Sequence, residues 1–158
     1  MELSELKETL EKCGALEQNS AKSDGELKVE IDRLLEDPII TNSVVVDNLH
    51  LLPRDVRPQA ILSDADDRLY GFASATAAWA RFYYADKTEE SYVLNHGFSL
   101  AKKTKVLITV SVLDDIQKIN DLITLAQRYE CEVIGVMCLQ SKISLDLMNS
   151  PLFALLHD

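Results

Sequence analysis

Apolar positions recur along this chain with two different periods, and the switches between them divide it into elements. Leu3, Leu6, Leu10 and Cys13 fall at helical spacing, and Gly14 follows as a C-terminal stop. Residues 17–25 are polar and turn-rich and predict a loop. Glu26 to Asp32 alternates, with Leu27, Val29 and Ile31 on one face, which predicts a strand. Pro38 opens a predicted helix through the Val44–Leu52 stretch, closed before Pro53. The segment between Pro53 and Pro58 then reads as an extended connector.

From Ala60 onward, strand and helix patterns alternate. Ala60-Ile61-Leu62 predicts a short buried strand, and Asp64, Asp66 and Asp67 stand where an N-cap is expected before the Ala-rich run Phe72–Ala80. Phe82-Tyr83-Tyr84 predicts the next strand. Residues 86–104 are polar, with Tyr92 to Leu94 and Phe98 as strand fragments around Asn95-His96-Gly97. Lys105 to Val112 is apolar enough for a central parallel strand buried on both faces. Asp114 or Asp115 caps a helix whose Ile116, Ile119, Leu122, Ile123 and Ala126 form one stripe. Glu132 to Leu139 predicts another buried strand, and Pro151 to Leu156 a last strand or turn.

This order predicts the α/β class: a single open, mostly parallel, Rossmann-like sheet with helices on both faces. One domain is expected over residues 1–158, with 1–25 as an N-terminal helix and loop. Lys105–Val112 and Glu132–Leu139 should be adjacent and parallel, joined by a helix over Asp115–Tyr129. Ligands gather at the carboxyl ends of the strands in such sheets. The segments placed there are Ser63–Arg68, Asp86–Gly97 and Ser111–Gln117.

Composition narrows the function classes. An apolar share of 47% and a charged share of 27% are those of a globular protein. Sixteen basic against 26 acidic side chains give a net charge of −10, which disfavours a nucleic-acid or anionic-membrane binder. The acidity is concentrated early, with 7 basic and 16 acidic groups in residues 1–67. No apolar run reaches the ~20 residues of a membrane span, no secretory leader is expected at the N-terminus, and a cytoplasmic location is expected. Three cysteines (Cys13, Cys131 and Cys138) form no CxxC pair, and with three histidines they supply no zinc pattern. Cys131 and Cys138 read as small buried hydrophobes.

Three segments carry a resemblance. Val29–Pro38 (VEIDRLLEDP) resembles the early strand and connector of orotate phosphoribosyltransferases. Ala60–Lys87 is similar in layout to their pyrophosphate-loop strand, the following helix and the next strand. Lys105–Leu139 is similar to the segment carrying their phosphoribosyl-diphosphate motif, and Ser150–Leu156 to their closing strand. The resemblance implies a phosphoribosyltransferase-like fold, a homodimer formed around Phe72, Trp79 and Phe82, and a nucleotide-like or phosphorylated ligand.

The chemical motifs depart from that pattern. The family places two adjacent acids on the ribose hydroxyls, then a Thr- and Gly-rich turn on the 5′-phosphate. Val110 and Ser111 stand in place of the acids, and Asp114-Asp115-Ile116-Gln117-Lys118 in place of the turn. An Asp there caps the helix and repels a phosphate. The pyrophosphate loop is likewise acidic, Ser63-Asp64-Ala65-Asp66-Asp67-Arg68. Of the family's mobile loop, Lys87 and Asn95-His96-Gly97 correspond, with Asp86 where an Arg is common.

The resulting expectation is a degenerate, non-catalytic member that binds a small nucleotide-like ligand or a protein partner. Ser63, Asp64, Lys87, His96, Ser111, Asp114 and Asp115 are its expected ligand-contacting residues, with no catalytic residue and no metal. Two alternatives stay open. One is an active transferase with atypical donor-binding residues, requiring Mg²⁺. The other is a phosphosugar-binding (sugar isomerase-like) module, in which Ser111 contacts the phosphosugar but Leu113 and Asp114 replace the expected Ser and Gly.

Overall fold

The structure is a computed structural model that describes residues 2–16, 28–143 and 150–157, the His96 side chain excepted. Five helices are described: α1 (Leu3–Lys12), α2 (Ile31–Leu35), α3 (Pro38–Leu49), α4 (Arg68–Ala78) and α5 (Ile116–Arg128). Six strands are described: β1 (Ala60–Asp64), β2 (Arg81–Lys87), β3 (Tyr92–Leu94), β4 (Lys105–Leu113), β5 (Glu132–Ser141) and β6 (Leu152–His157). They form one sheet in the order β3-β2-β1-β4-β5-β6, parallel except for β3. The expected α/β class holds. β4 and β5 are adjacent and parallel from Lys105 opposite Glu132 to Leu113 opposite Ser141, with α5 as their connection.

Period-two alternation sorts the strand residues onto two cores. Leu62, Val106, Ile108, Val110, Val136 and Cys138 face α5, whose Ile119, Leu122, Leu125 and Ala126 are buried against them. Ile61, Leu107 and Met137 face the other way, with Ala75 of α4 and Leu52. Beside them Leu139 and Leu156 pack with α1, α3 and α4 through Leu6, Leu10, Val44, Val45 and Tyr70. Each fully buried Leu or Ile in these layers contributes about 1.5–3 kcal/mol. A polar chain crosses the second layer: the buried Tyr70 hydroxyl donates to Asn48 Oδ1 at 2.8 Å, and Asn48 Nδ2 donates to the Phe153 carbonyl at 3.1 Å. It ties α4, α3 and β6 together and leaves these buried groups partnered.

Two glycines mark close approaches. A Cβ on Gly71 would lie 2.5 Å from Ser63 Oγ and 2.8 Å from the Phe82 ring, so α4 sits directly on β1 and β2. A Cβ on Gly135 would lie 2.6 Å from the Phe153 ring, beside the β4–β5 register shift.

One expectation fails. Glu26–Asp32 is not a strand: Val29 makes only an isolated bridge to Leu16, and Ile31 and Asp32 already belong to α2, with Glu26 and Leu27 outside the described residues. Val29 and Ile31 alternate, but Ile31 and Leu34 are also three apart, and the helical period wins where Leu34 is buried. The predicted loop at 17–25 lies outside the described residues. The helix begun at Pro38 stops at Leu49, and Asp37 caps it through the Ile39 and Ile40 amides at 3.1 Å. Among the described residues no helix is long and apolar enough to cross a membrane.

Candidate functional site

The carboxyl ends of β1 and β4 bring Ser63, Asp64, Ser111, Asp114 and Asp115 to one edge of the sheet, with Lys87 at the same end of β2. The geometry shows how each is used. Ser63 is fully buried, pressed under Gly71 with its hydroxyl unpartnered, so its side chain is closed to a ligand. Asp64 is buried too. Its Oδ1 accepts the Asp66 amide at 2.7 Å, capping the short 3₁₀ turn over Ala65–Asp67, and its Oδ2 accepts the Tyr92 hydroxyl at 2.5 Å. Burial and the Asp64 carboxylate both push the Tyr92 phenol up.

Asp67 stands at the N-cap position of α4 but makes no cap hydrogen bond there. Its carboxylate instead reaches across to β4: Ser111 donates its amide to Oδ2 at 2.6 Å and its hydroxyl to Oδ1 at 2.7 Å. This clasp joins the loop after β1 to the end of β4. Burial raises the Asp67 carboxyl above its ordinary range, and the Ser111 hydrogen bonds, then the Lys118 charge, oppose that rise. The clasp is the feature that sequence reading missed. Asp67 looked like a cap, and only the adjacency of β1 and β4 makes Ser111 its partner.

Asp115 caps α5, accepting from the Gln117 and Lys118 amides at 3.0 and 3.3 Å. Asp114 beside it is exposed. Together they place carboxylates on the helix end that in other proteins receives a phosphate. On β2, Asp86 accepts from the Asn95 side chain, and Lys87 is exposed opposite Tyr92 of β3. His96 lies in the turn Asn95–Gly97 that follows β3. Among the described residues no three His, Cys, Asp or Glu side chains converge on a metal position. Cys131 and Cys138 are buried and free, and burial pushes the Cys138 thiol up to about 12.

A parallel sheet with β3 antiparallel at its edge and two loops meeting across β1 and β4 defines the class of the fold, that of the type I phosphoribosyltransferases. The chain superposes on adenine phosphoribosyltransferase from Thermoanaerobacter pseudethanolicus with a TM-score of 0.73 and 16% identity, covering 99% of this chain and 100% of that one. Orotate phosphoribosyltransferase from Aeropyrum pernix gives 0.73 and 18%, over 96% and 93%. UMP synthase from Leishmania donovani gives 0.75 and 13% over 97% of this chain, which spans only 36% of that protein. At these identities the likeness is one of fold. No family model matches the chain, and no curated protein matches it in sequence.

Proposed function

We propose that this protein is a non-catalytic member of the phosphoribosyltransferase fold that binds a small nucleotide-like ligand or a protein partner. The observation that carries the reading is the Asp67–Ser111 clasp, in which a carboxylate holds the amide and hydroxyl at one of the two positions of the expected ribose-binding acids. Phosphoribosyl diphosphate would meet Asp67 and Asp64 on one side and Asp114 and Asp115 on the other. A carboxylate held ~4 Å from a phosphate costs about 1–4 kcal/mol in a polar setting, and each 1.4 kcal/mol is about a tenfold loss of affinity. The test is an assay with phosphoribosyl diphosphate, Mg²⁺ and a panel of orotate, uracil, adenine and guanine, beside calorimetric titration of the donor. No turnover and no donor binding are expected. Turnover that is lost in Asp114→Asn would make these acids catalytic replacements and overturn the reading.

Pairing with a second copy belongs to the same proposal. Leu69 and Phe72 of α4 are exposed at a groove of about 300 Å³ between α3 and α4, and the Phe72 ring rests edge-on against Phe82 at 5.9 Å. Two-fold pairing is the commonest arrangement among soluble oligomers. Light scattering should give twice the chain mass and Phe72→Lys a single mass; a single mass for the unaltered chain removes the dimer.

A further inference from the structure

The amino edge of the sheet carries the opposite set of groups. Helices α3 and α4 both end there, at His50 and Trp79, and residues 51–59 pass beneath them into β1. Between these three pieces lies a cavity of about 490 Å³, within the range of small-molecule sites. Leu49, Leu52, Val56 and Ala77 give it an apolar wall. Arg54, Arg57, His50 and Trp79 form its rim, and all four are exposed.

Two features of this rim are explained by no ion pair or burial among the described residues. Neither Arg54 nor Arg57 is in an ion pair among the described residues, although the chain carries a net charge of −10. Asp55, between them in sequence, does not line the cavity. Trp79 is 97% exposed, and its backbone is left-handed, with φ 56° and ψ 36°, at a helix C-cap where glycine is the usual residue. An indole that buries nothing and sits in a conformation suited to glycine weakens the fold. Outliers of this kind cluster at ligand clamps.

We infer that this cavity binds a planar aromatic anion of the nucleoside monophosphate class. The base stacks on Trp79 against the apolar wall, and Arg54 and Arg57 hold the phosphate. The carbonyl ends of α3 and α4 carry about half a negative charge each, which two full guanidinium charges exceed. The inference deepens the binding reading above and rests on it, while moving the ligand to the edge opposite the one where this fold places its phosphoribosyl chemistry.

Trp79 is the only tryptophan of the chain, so its emission reads the site directly. Titration of the intact chain with AMP and with UMP should quench it saturably. Adenosine, which lacks the charge, and ribose 5-phosphate, which lacks the ring, should each bind at least about tenfold more weakly. The double variant Arg54→Gln, Arg57→Gln should lose about tenfold or more in AMP affinity with its melting transition unchanged. No saturable quenching by either nucleotide at millimolar concentration overturns the inference, as does unchanged affinity in the double variant. Nucleotide binding that follows Asp67→Asn rather than the arginine pair overturns this site but leaves the binding reading standing, whereas transferase turnover overturns that reading itself.

Discussion

The two edges of one sheet treat their polar side chains in opposite ways. At the carboxyl edge three of the expected contact residues, Asp64, Ser111 and Asp115, have hydrogen-bonding capacity used inside the chain, while Ser63 is buried and Lys87 and Asp114 are exposed. Asp64 holds Asp66 and Tyr92, Asp67 holds Ser111, and Asp115 holds the start of α5. At the amino edge Arg54, Arg57 and Trp79 stand exposed around a cavity. A group already paired within the fold must break that pair to meet a ligand, and a free one need not. Position in the fold points to the carboxyl edge as the place where a parallel sheet can bind. The pairing state of the side chains decides whether it does.

Substitutions should separate the two edges by their effect on stability. The largest effect is expected from Gly71→Val at the carboxyl edge, where added carbons collide with Ser63 and the Phe82 ring. Overpacking there should cost about 3 kcal/mol in chemical denaturation, and a loss below about 0.5 kcal/mol would show that α4 can move off β1 freely. Asp115→Ala removes the cap of α5 and should cost about 1 kcal/mol, read as a lower denaturation midpoint at unchanged slope. At the amino edge Trp79→Gly should act with the other sign and stabilise by about 1 kcal/mol, because it relieves the left-handed backbone and uncovers nothing.

Asp67→Asn should show a smaller effect whose sign depends on pH. The folded carboxyl titrates above the 3.8 of an ordinary Asp, so the folded state holds its proton more tightly than the unfolded chain. The contribution of Asp67 is then most favourable at low pH and is lost as pH rises through the raised value. Melting curves across the acid range should therefore show Asp67→Asn gaining on the unaltered protein as pH increases; the opposite trend would mean that the Ser111 hydrogen bonds outweigh burial. Smallest of all, Arg54→Gln with Arg57→Gln should leave stability within about 0.5 kcal/mol. A larger loss would give the arginines a structural role and erase the contrast between the edges.

Much of the fold was legible along the chain, because burial imposes periods that a sequence displays. The run Lys105–Val112 is apolar on both faces, and β4 is buried on both. The stripe from Ile116 to Ala126 became α5, with Ile119, Leu122 and Ala126 inside. The failure at Glu26–Asp32 came where seven residues satisfied two periods at once, and contact with α1 and α3 decided between them. Among the site residues, Asp115 was readable as a cap because its partners lie two and three residues away. Asp67 was not, because its partner lies 44 residues away on another strand. Trp79 and the two arginines gave no local signal either, since nothing in their neighbourhood along the chain says that α3, α4 and the 51–59 segment enclose a space.

By itself the sequence determined the alternation of strands and helices, the parallel pairing of β4 with β5, and the replacement of the expected acids and glycines by Val110, Ser111, Asp114 and Asp115. Those are consequences of residue type and of spacing within a few turns, where each position is fixed by its neighbours. Only the tertiary structure decided that Asp67 closes on Ser111, that Ser63 is sealed beneath Gly71, and that an exposed tryptophan and two guanidinium groups meet at the opposite edge. Each joins elements far apart in the chain, and such contacts are set by how the layers pack.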